Sequence, residues 1–117
     1  MNFEEQIAHR LGQKHGADFA NRAASEQLAS LRRAFGQNAE AILLQMHAKV
    51  RPNSAFALSG YFALSILGEQ SDRRRVEQFW QPYCTGDSET DSIYDEPYYL
   101  LGFIAGALAR RATGKPH

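Results

Sequence analysis

Apolar side chains recur at a helical spacing along almost the whole chain, and this periodicity restricts the fold more than any other feature. Phe3, Ile7 and Leu11, for example, lie four residues apart, which places them on one face of a helix. No segment alternates apolar and polar residues between hairpin turns, and β-branched residues are scarce. The 117 residues, 44% of them apolar, are therefore predicted to fold as an all-α, compact single-domain bundle of five to six helices with a central apolar helix pair.

The pattern predicts three helices in the first 50 residues. The first ends near His15-Gly16, and the second runs from about Asp18 to Phe35, where Gly36 ends it. The predicted inner face of the second helix is Ala24, Leu28, Leu31 and Phe35. Asn38 is a predicted N-cap of the third helix. The apolar face of that third helix is Ile42, Leu43, Met46 and Val50.

A fourth helix is predicted over Ala55–Leu67, capped by Asn53 or Ser54 and stopped by Gly68. It is apolar nearly all round, so we expect it to be central. The fourth helix carries small residues four apart, namely Ala55, Ser59 and Ala63. The last helix does the same with Gly102 and Gly106. Small residues at that spacing let two helix backbones approach closely. The fourth and last helices are therefore predicted to form the core pair.

The final third is predicted to contain two helices separated by a loop. The fifth helix opens at Ser71 or Asp72 and is ended or kinked by Pro82. Its predicted inner face is Val76, Phe79, Trp80 and Tyr83. The polar stretch Thr85–Ser92 is predicted to be an exposed loop. The last helix runs from about Asp95 to Ala109, and its end is marked by Arg110, Arg111 and Gly114-Lys115-Pro116.

Composition narrows the function classes. Thirteen basic residues balance thirteen acidic ones, which argues against a dedicated nucleic-acid binder. The acidic N-terminal residues lack a hydrophobic signal region, and the longest apolar stretch, Ala55–Leu67, falls short of the roughly 20 residues of a membrane span. One cysteine suits a reducing compartment. We therefore expect a cytoplasmic protein that does not contact membranes.

The chain shows no motif for a catalytic nucleophile, a phosphate-binding loop or a metal site, so we expect no enzyme, no cofactor and no metal. Glu5 and His9, four residues apart, are expected to be a surface pair. Cys84 follows the end of a helix and precedes acidic residues, which would raise its pKa. A half-buried structural thiol is the expected role of Cys84.

The densest basic cluster is Arg73, Arg74 and Arg75, which opposes the dipole of the helix that it begins. We expect carboxylates of this chain to compensate it, either in the segment Asp87–Glu96 or at Asp72 and Glu77. An external anion, nucleic acid included, is the alternative partner of these arginines.

Residues 85–97 carry five acids and no base, and the run 87–99, the acidic segment, combines these five carboxylates with Tyr94, Tyr98 and Tyr99. Carboxylates would steer a basic partner, and tyrosines supply contact area at little entropic cost. Tyr98 and Tyr99 cannot both face inward on one helical turn. The predicted partner-binding residues are Asp87, Glu89, Asp91, Tyr94, Asp95, Glu96 and Tyr98. The alternative is a solvated acidic loop whose tyrosines cover the core.

The acidic, tyrosine-bearing residues 92–99 enter a Gly/Ala-rich helix, residues 101–108, and in this the chain resembles small helical bacterial immunity proteins against secreted toxins. The resemblance covers about 20 residues. It implies a cytoplasmic, non-enzymatic inhibitor whose acidic surface blocks the basic active site of a cognate toxin. Two other hypotheses remain: a DNA-associated regulator that uses Arg73–Arg75, and a self-assembling helical structural protein, which would be a homo-oligomer.

Overall fold

The computed structural model describes residues 1–68 and 70–113, and every regular element in those ranges is helical. The all-α prediction is therefore confirmed, although these ranges hold seven α-helices and one 3₁₀ turn rather than five to six helices. The helices are α1 (Phe3–Arg22), α2 (Ser25–Phe35), α3 (Ala39–Lys49), α4 (Leu58–Leu67), α5 (Arg73–Trp80), α6 (Ser88–Asp91) and α7 (Pro97–Thr113), and the 3₁₀ turn is Ser92–Asp95. None of the described helices is both long and apolar enough to cross a membrane.

The first helix is capped at its start and ends later than predicted. The Asn2 side chain accepts from the Glu5 N–H (2.8 Å), and the Glu5 carboxylate accepts from the Asn2 N–H (2.9 Å), which closes a capping box. The predicted end at His15-Gly16 is wrong, because α1 continues to Arg22. The chain leaves the helix only at Ala23, in an extended conformation. The second helix consequently starts at Ser25 rather than near Asp18.

The predicted end of α2 at Phe35 and the predicted N-cap of α3 at Asn38 both match the structure. Leu28, Leu31 and Phe35 are buried on α2, as predicted, whereas Ala24 precedes the helix and is exposed. Gly36 follows the last residue of α2. The Asn38 side chain accepts from the Ala41 N–H (3.5 Å), which confirms Asn38 as the N-cap of α3.

The fourth helix begins at Leu58, three residues later than predicted, and neither Asn53 nor Ser54 caps it. Ser54 instead accepts from the Arg51 N–H (2.8 Å) in the preceding turn. The cap comes from a distant part of the chain, because Asp95 Oδ1 accepts from the Ser59 N–H (3.0 Å). The helix stops at Gly68, as predicted, where φ is +110°.

The core pair is α1 and α7, not the predicted α4 and α7. The two helices run parallel and in unusually close contact, since a Cβ on Gly12 would lie 2.0 Å from the Tyr99 carbonyl oxygen. A Cβ on Gly16 would lie at the same distance from the Phe103 carbonyl oxygen. From the other side, Gly102 and Gly106 face the backbone of His9 and Gln13. Gly102 and Gly106 therefore allow the close helix contact that their spacing predicted. The helix that packs against them is the first helix, which also carries glycines four apart.

Around this pair lies one aromatic core. The Phe103 ring centroid is 5.4 Å from that of Phe19 on α1, 5.5 Å from Phe62 on α4 and 5.6 Å from Trp80 on α5. Phe103 thereby joins three helices to α7. Rings at these separations attract beyond the effect of buried area alone.

The last helix begins at Pro97, two residues after the predicted start, and continues past the predicted Ala109 to Thr113. The backbone of Arg110 and Arg111 is helical, but their side chains lie outside the described residues, as does Gly114-Lys115-Pro116.

Candidate functional site

The acidic segment predicted as a loop contains regular structure. Asp87 caps the short helix α6, since it accepts from the Glu89 N–H (3.3 Å) and the Thr90 hydroxyl (2.7 Å). The 3₁₀ turn follows directly and leads to α7. The segment remains largely exposed, so its predicted exposure is confirmed while its loop conformation is not.

Three of the five carboxylates of this segment bind the chain itself. Asp91 accepts from the N–H (2.9 Å) and hydroxyl (2.9 Å) of Thr85 and from the Gly86 N–H (3.1 Å). The hydrogen bond from Thr85 lowers the pKa of Asp91, and the hydrogen bond from Thr90 lowers that of Asp87. Asp95 caps α4. These three side chains therefore hold the segment in shape.

The tyrosines of the segment divide between core and surface. Tyr94 is only 5% exposed, stacks on Trp80 (centroids 5.6 Å apart) and donates its hydroxyl proton to the Tyr83 carbonyl oxygen. Tyr99 is fully buried and Tyr98 is partly exposed, as the helical geometry predicts. Of the predicted contact residues, Tyr94 thus belongs to the core and Tyr98 to the surface.

The remaining predicted residues, Glu89, Glu96 and Tyr98, line one groove of about 430 Å³ between the segment and the start of α1. We call this the acidic groove. Its lining residues are Asn2, Glu4, Glu5, Ile7, Ala8, Glu89, Thr90, Ser92, Ile93, Glu96 and Tyr98. Carboxylates from α1 and from the segment, together with Ile7, Ile93 and Tyr98, make a surface that attracts cations and also offers hydrophobic contact.

Sequence reasoning missed the contribution of α1 to this groove. Glu4 lies there without a salt bridge to any described residue, and Ile7 is 46% exposed. One turn earlier on the same helix, Phe3 is 75% exposed. The parallel packing of α1 on α7 brings this helix start beside the acidic segment. The matching glycine spacing of α1 and α7 was the signal that would have predicted it.

The arginine cluster forms no salt bridge with the acidic segment among the described residues, so the first of its two expected sources of compensation is wrong. Arg73 donates to the Ala55 carbonyl oxygen (2.5 Å) and lies over the Phe56 ring (4.9 Å). Within the described ranges, the one salt bridge joins Arg22 to Asp18. Asp72 compensates the helix dipole instead, because its side chain caps α5 by accepting from the Arg75 N–H (3.0 Å).

A second groove, of about 610 Å³, lies between α5 and the segment that precedes α4. Arg73, Arg74, Glu77 and Asp91 contribute its charged residues, so both signs are present. Cys84 also lines it and is exposed, which corrects the expected half-buried thiol. Desolvation, and then Asp91, raises the pKa of Cys84, which keeps the thiol protonated.

The ring of His15 connects α1 to the aromatic core. Its Nδ1 is 2.7 Å from the hydroxyl oxygen of the buried Tyr99, and the ring stacks on Tyr83 (4.6 Å). Burial lowers the pKa of His15, and Lys14 lowers it further against the opposing effect of Asp18. A neutral His15 can accept the Tyr99 hydroxyl proton, whereas a protonated ring cannot.

Among the described residues, no group of three or more His, Cys, Asp and Glu side chains is placed to hold a metal ion. Comparison with known proteins does not assign this chain to a family. No family model, curated protein or solved structure matches this chain. The function is therefore inferred from the charge and the apolar residues of the acidic groove.

Proposed function

We propose that this chain is a cytoplasmic, non-enzymatic protein-binding module that inhibits a basic protein partner, in the manner of an immunity protein or antitoxin. The supporting observation is the acidic groove, where Glu4, Glu89 and Glu96 surround apolar side chains without a salt bridge in the described chain. Unpaired carboxylates on a defined surface speed encounter with a positively charged partner and set its orientation. The apolar side chains of the groove then supply contact area.

The contact surface proposed here differs from the one expected from sequence. Glu89, Glu96 and Tyr98 remain in it, and Glu4 and Ile7 join it. Asp87, Asp91 and Asp95 support the segment through hydrogen bonds, so replacing them would alter the shape of the surface as well as its charge.

The DNA-associated alternative has less support, because the arginines do not share one surface. Arg73 and Arg74 line the groove beside α5 together with Glu77 and Asp91, whereas Arg75 lines a separate cleft next to Arg22. A duplex would meet carboxylates at the first of these places, and phosphate binding needs a continuous basic surface.

The test is to capture partners from the source cell on the full chain, purify the protein retained, and measure its affinity by calorimetry. We expect a basic protein whose activity falls on binding and whose affinity drops as salt rises. The triple variant Glu4→Gln, Glu89→Gln, Glu96→Gln should bind about tenfold more weakly at low salt, from roughly 0.5 kcal/mol per exposed charge pair.

The control replaces one exposed carboxylate on each of two other helices, with Glu26→Gln on α2 and Glu77→Gln on α5. These changes also remove negative charge but leave the acidic groove intact, so affinity should stay close to that of the parent chain. Because the control removes two charges and the test variant three, equal loss per charge removed would mean that overall charge, and not this groove, governs binding. An unchanged affinity in the triple variant would refute the proposal.

A further inference from the structure

The acidic groove has a neighbouring depression at Tyr98. This shallow depression is formed by α3 and the first turns of α7. Its lining residues are Glu40, Leu43, Leu44, Pro97, Tyr98 and Leu101. Tyr98 lines both depressions, so they are adjacent, and we call the two together the acidic face.

The acidic face combines one sign of charge with exposed apolar side chains. Its charged residues are Glu4, Glu5, Glu40, Glu89 and Glu96, and no Lys or Arg lines either depression. The large apolar side chains that are exposed in the described ranges are Met1, Phe3, Ile7 and Leu44. Ile7 and Leu44 line the face itself, and Phe3 is one turn from Ile7. An apolar strip with a charged rim is typical of a protein interaction site.

We infer that the acidic face binds an amphipathic α-helix whose apolar stripe is flanked by Lys or Arg. This inference rests on the proposed function and names the element of the partner that is recognised. The apolar side chains of such a helix lie over Ile7, Tyr98 and Leu44, and its basic side chains meet the surrounding glutamates.

A helix suits this surface better than an extended strand. The described ranges contain no strand, so the face offers no sheet edge whose N–H and C=O groups a bound strand could pair with. The turns that form the groove already use their own backbone groups, as in the bond from the Glu96 N–H to the Ile93 carbonyl (3.0 Å). A partner segment must therefore satisfy its own backbone hydrogen bonds, as a helix does.

The charge of the face argues against two other occupants. A second copy related by two-fold symmetry would set the five glutamates against the same five glutamates. A cytoplasmic membrane surface is itself negative and would be repelled. A basic helix is the occupant whose charge and apolar stripe both match.

The experiment uses the full chain and two synthetic peptides of identical Leu and Lys content. In the first, leucines occupy positions i, i+3, i+4 and i+7; in the second, the same residues are reordered so that leucines surround the helix. Fluorescence anisotropy at low salt should give an affinity for the first peptide about tenfold tighter than for the second. Leu44→Ser and Ile7→Ser should each weaken binding of the first peptide several-fold, because each removes an apolar contact with the peptide. Both side chains are half-exposed, so their replacement removes little buried area from the fold.

Equal affinity for both peptides would overturn the inference and leave charge-driven partner binding, and hence the proposed function, intact. Absence of binding to both would also overturn it, while the captured-partner experiment judges the proposed function separately. A dimer in sedimentation that Leu44→Ser dissociates, or binding to vesicles containing phosphatidylserine, would overturn it in favour of another occupant. Selective binding that Leu44→Ser weakens, with Glu26→Gln as an unchanged control, would support it.

Discussion

Replacing Gly16 by alanine tests the contact between α1 and α7 most directly. In an isolated helix this substitution stabilises by about 1 kcal/mol. Here the added Cβ would lie 2.0 Å from the Phe103 carbonyl oxygen, where an ordinary contact begins at 3.4 Å, so the two backbones must move apart by more than 1 Å. Neither side of this contact is a flexible side chain, so the strain cannot be relieved by a rotamer change. Overpacking of this kind costs about 3 kcal/mol or more.

The two effects together predict a net loss of about 2 kcal/mol in the free energy of unfolding, or a fall of about 8 °C in melting temperature. Urea unfolding followed by circular dichroism measures it, with the slope checked for a change in the denatured state. The control is Ala105→Gly on the exposed side of α7, which should cost only the propensity difference of about 1 kcal/mol. If Gly16→Ala instead stabilises the chain by about 1 kcal/mol, the close contact does not exist.

Three further predictions concern His15, Asp95 and Cys84. Burial lowers the pKa of His15 in the folded state, so as pH falls the imidazole of the unfolded chain is protonated before that of the folded chain. Thermal unfolding should therefore show stability that falls as pH drops below about 6.5. His15→Gln, which can still accept from Tyr99, should flatten that dependence; an equally steep profile would exclude His15 as its source. Asp95→Ala should cost about 1 kcal/mol in urea unfolding by uncapping α4, and Asp95→Asn should cost less, so equal losses would contradict a capping role. Cys84 should react slowly with a maleimide at neutral pH despite its exposure, and Asp91→Asn should speed the reaction; no change would mean that Asp91 has no effect on the thiol.

Local patterns predicted most of the helices because their causes are local. Asn38 and Asp72 cap helices through side chains three residues from the N–H that they bind, and such signals can be read in a short window. The failure at Gly16 has the opposite origin. Glycine disfavours a helix interior, but contact with a backbone some 90 residues away compensates for it, and no local pattern contains that contact.

The part of the candidate site that lies in one short segment was also predictable from local sequence. The acidic segment stood out by composition, so Glu89, Glu96 and Tyr98 were found before the fold was known. Glu4 and Ile7 were not found, since only the parallel arrangement of the first and last helices places them opposite that segment. The roles of Asp91 and Asp95 depend on hydrogen-bond geometry, which composition does not reveal.

The parallel contact of the first and last helices also has a consequence for how the chain is made. A ribosome releases α1 first and α7 last, so the glycine face of α1 has no partner for most of synthesis. Bringing the two helices together closes a loop that contains all of the other described helices, and contacts between residues so distant in sequence form slowly. The core can therefore assemble only after translation has reached α7. A nascent chain interrupted before that point exposes the inner face of the first helix to chaperones and proteases.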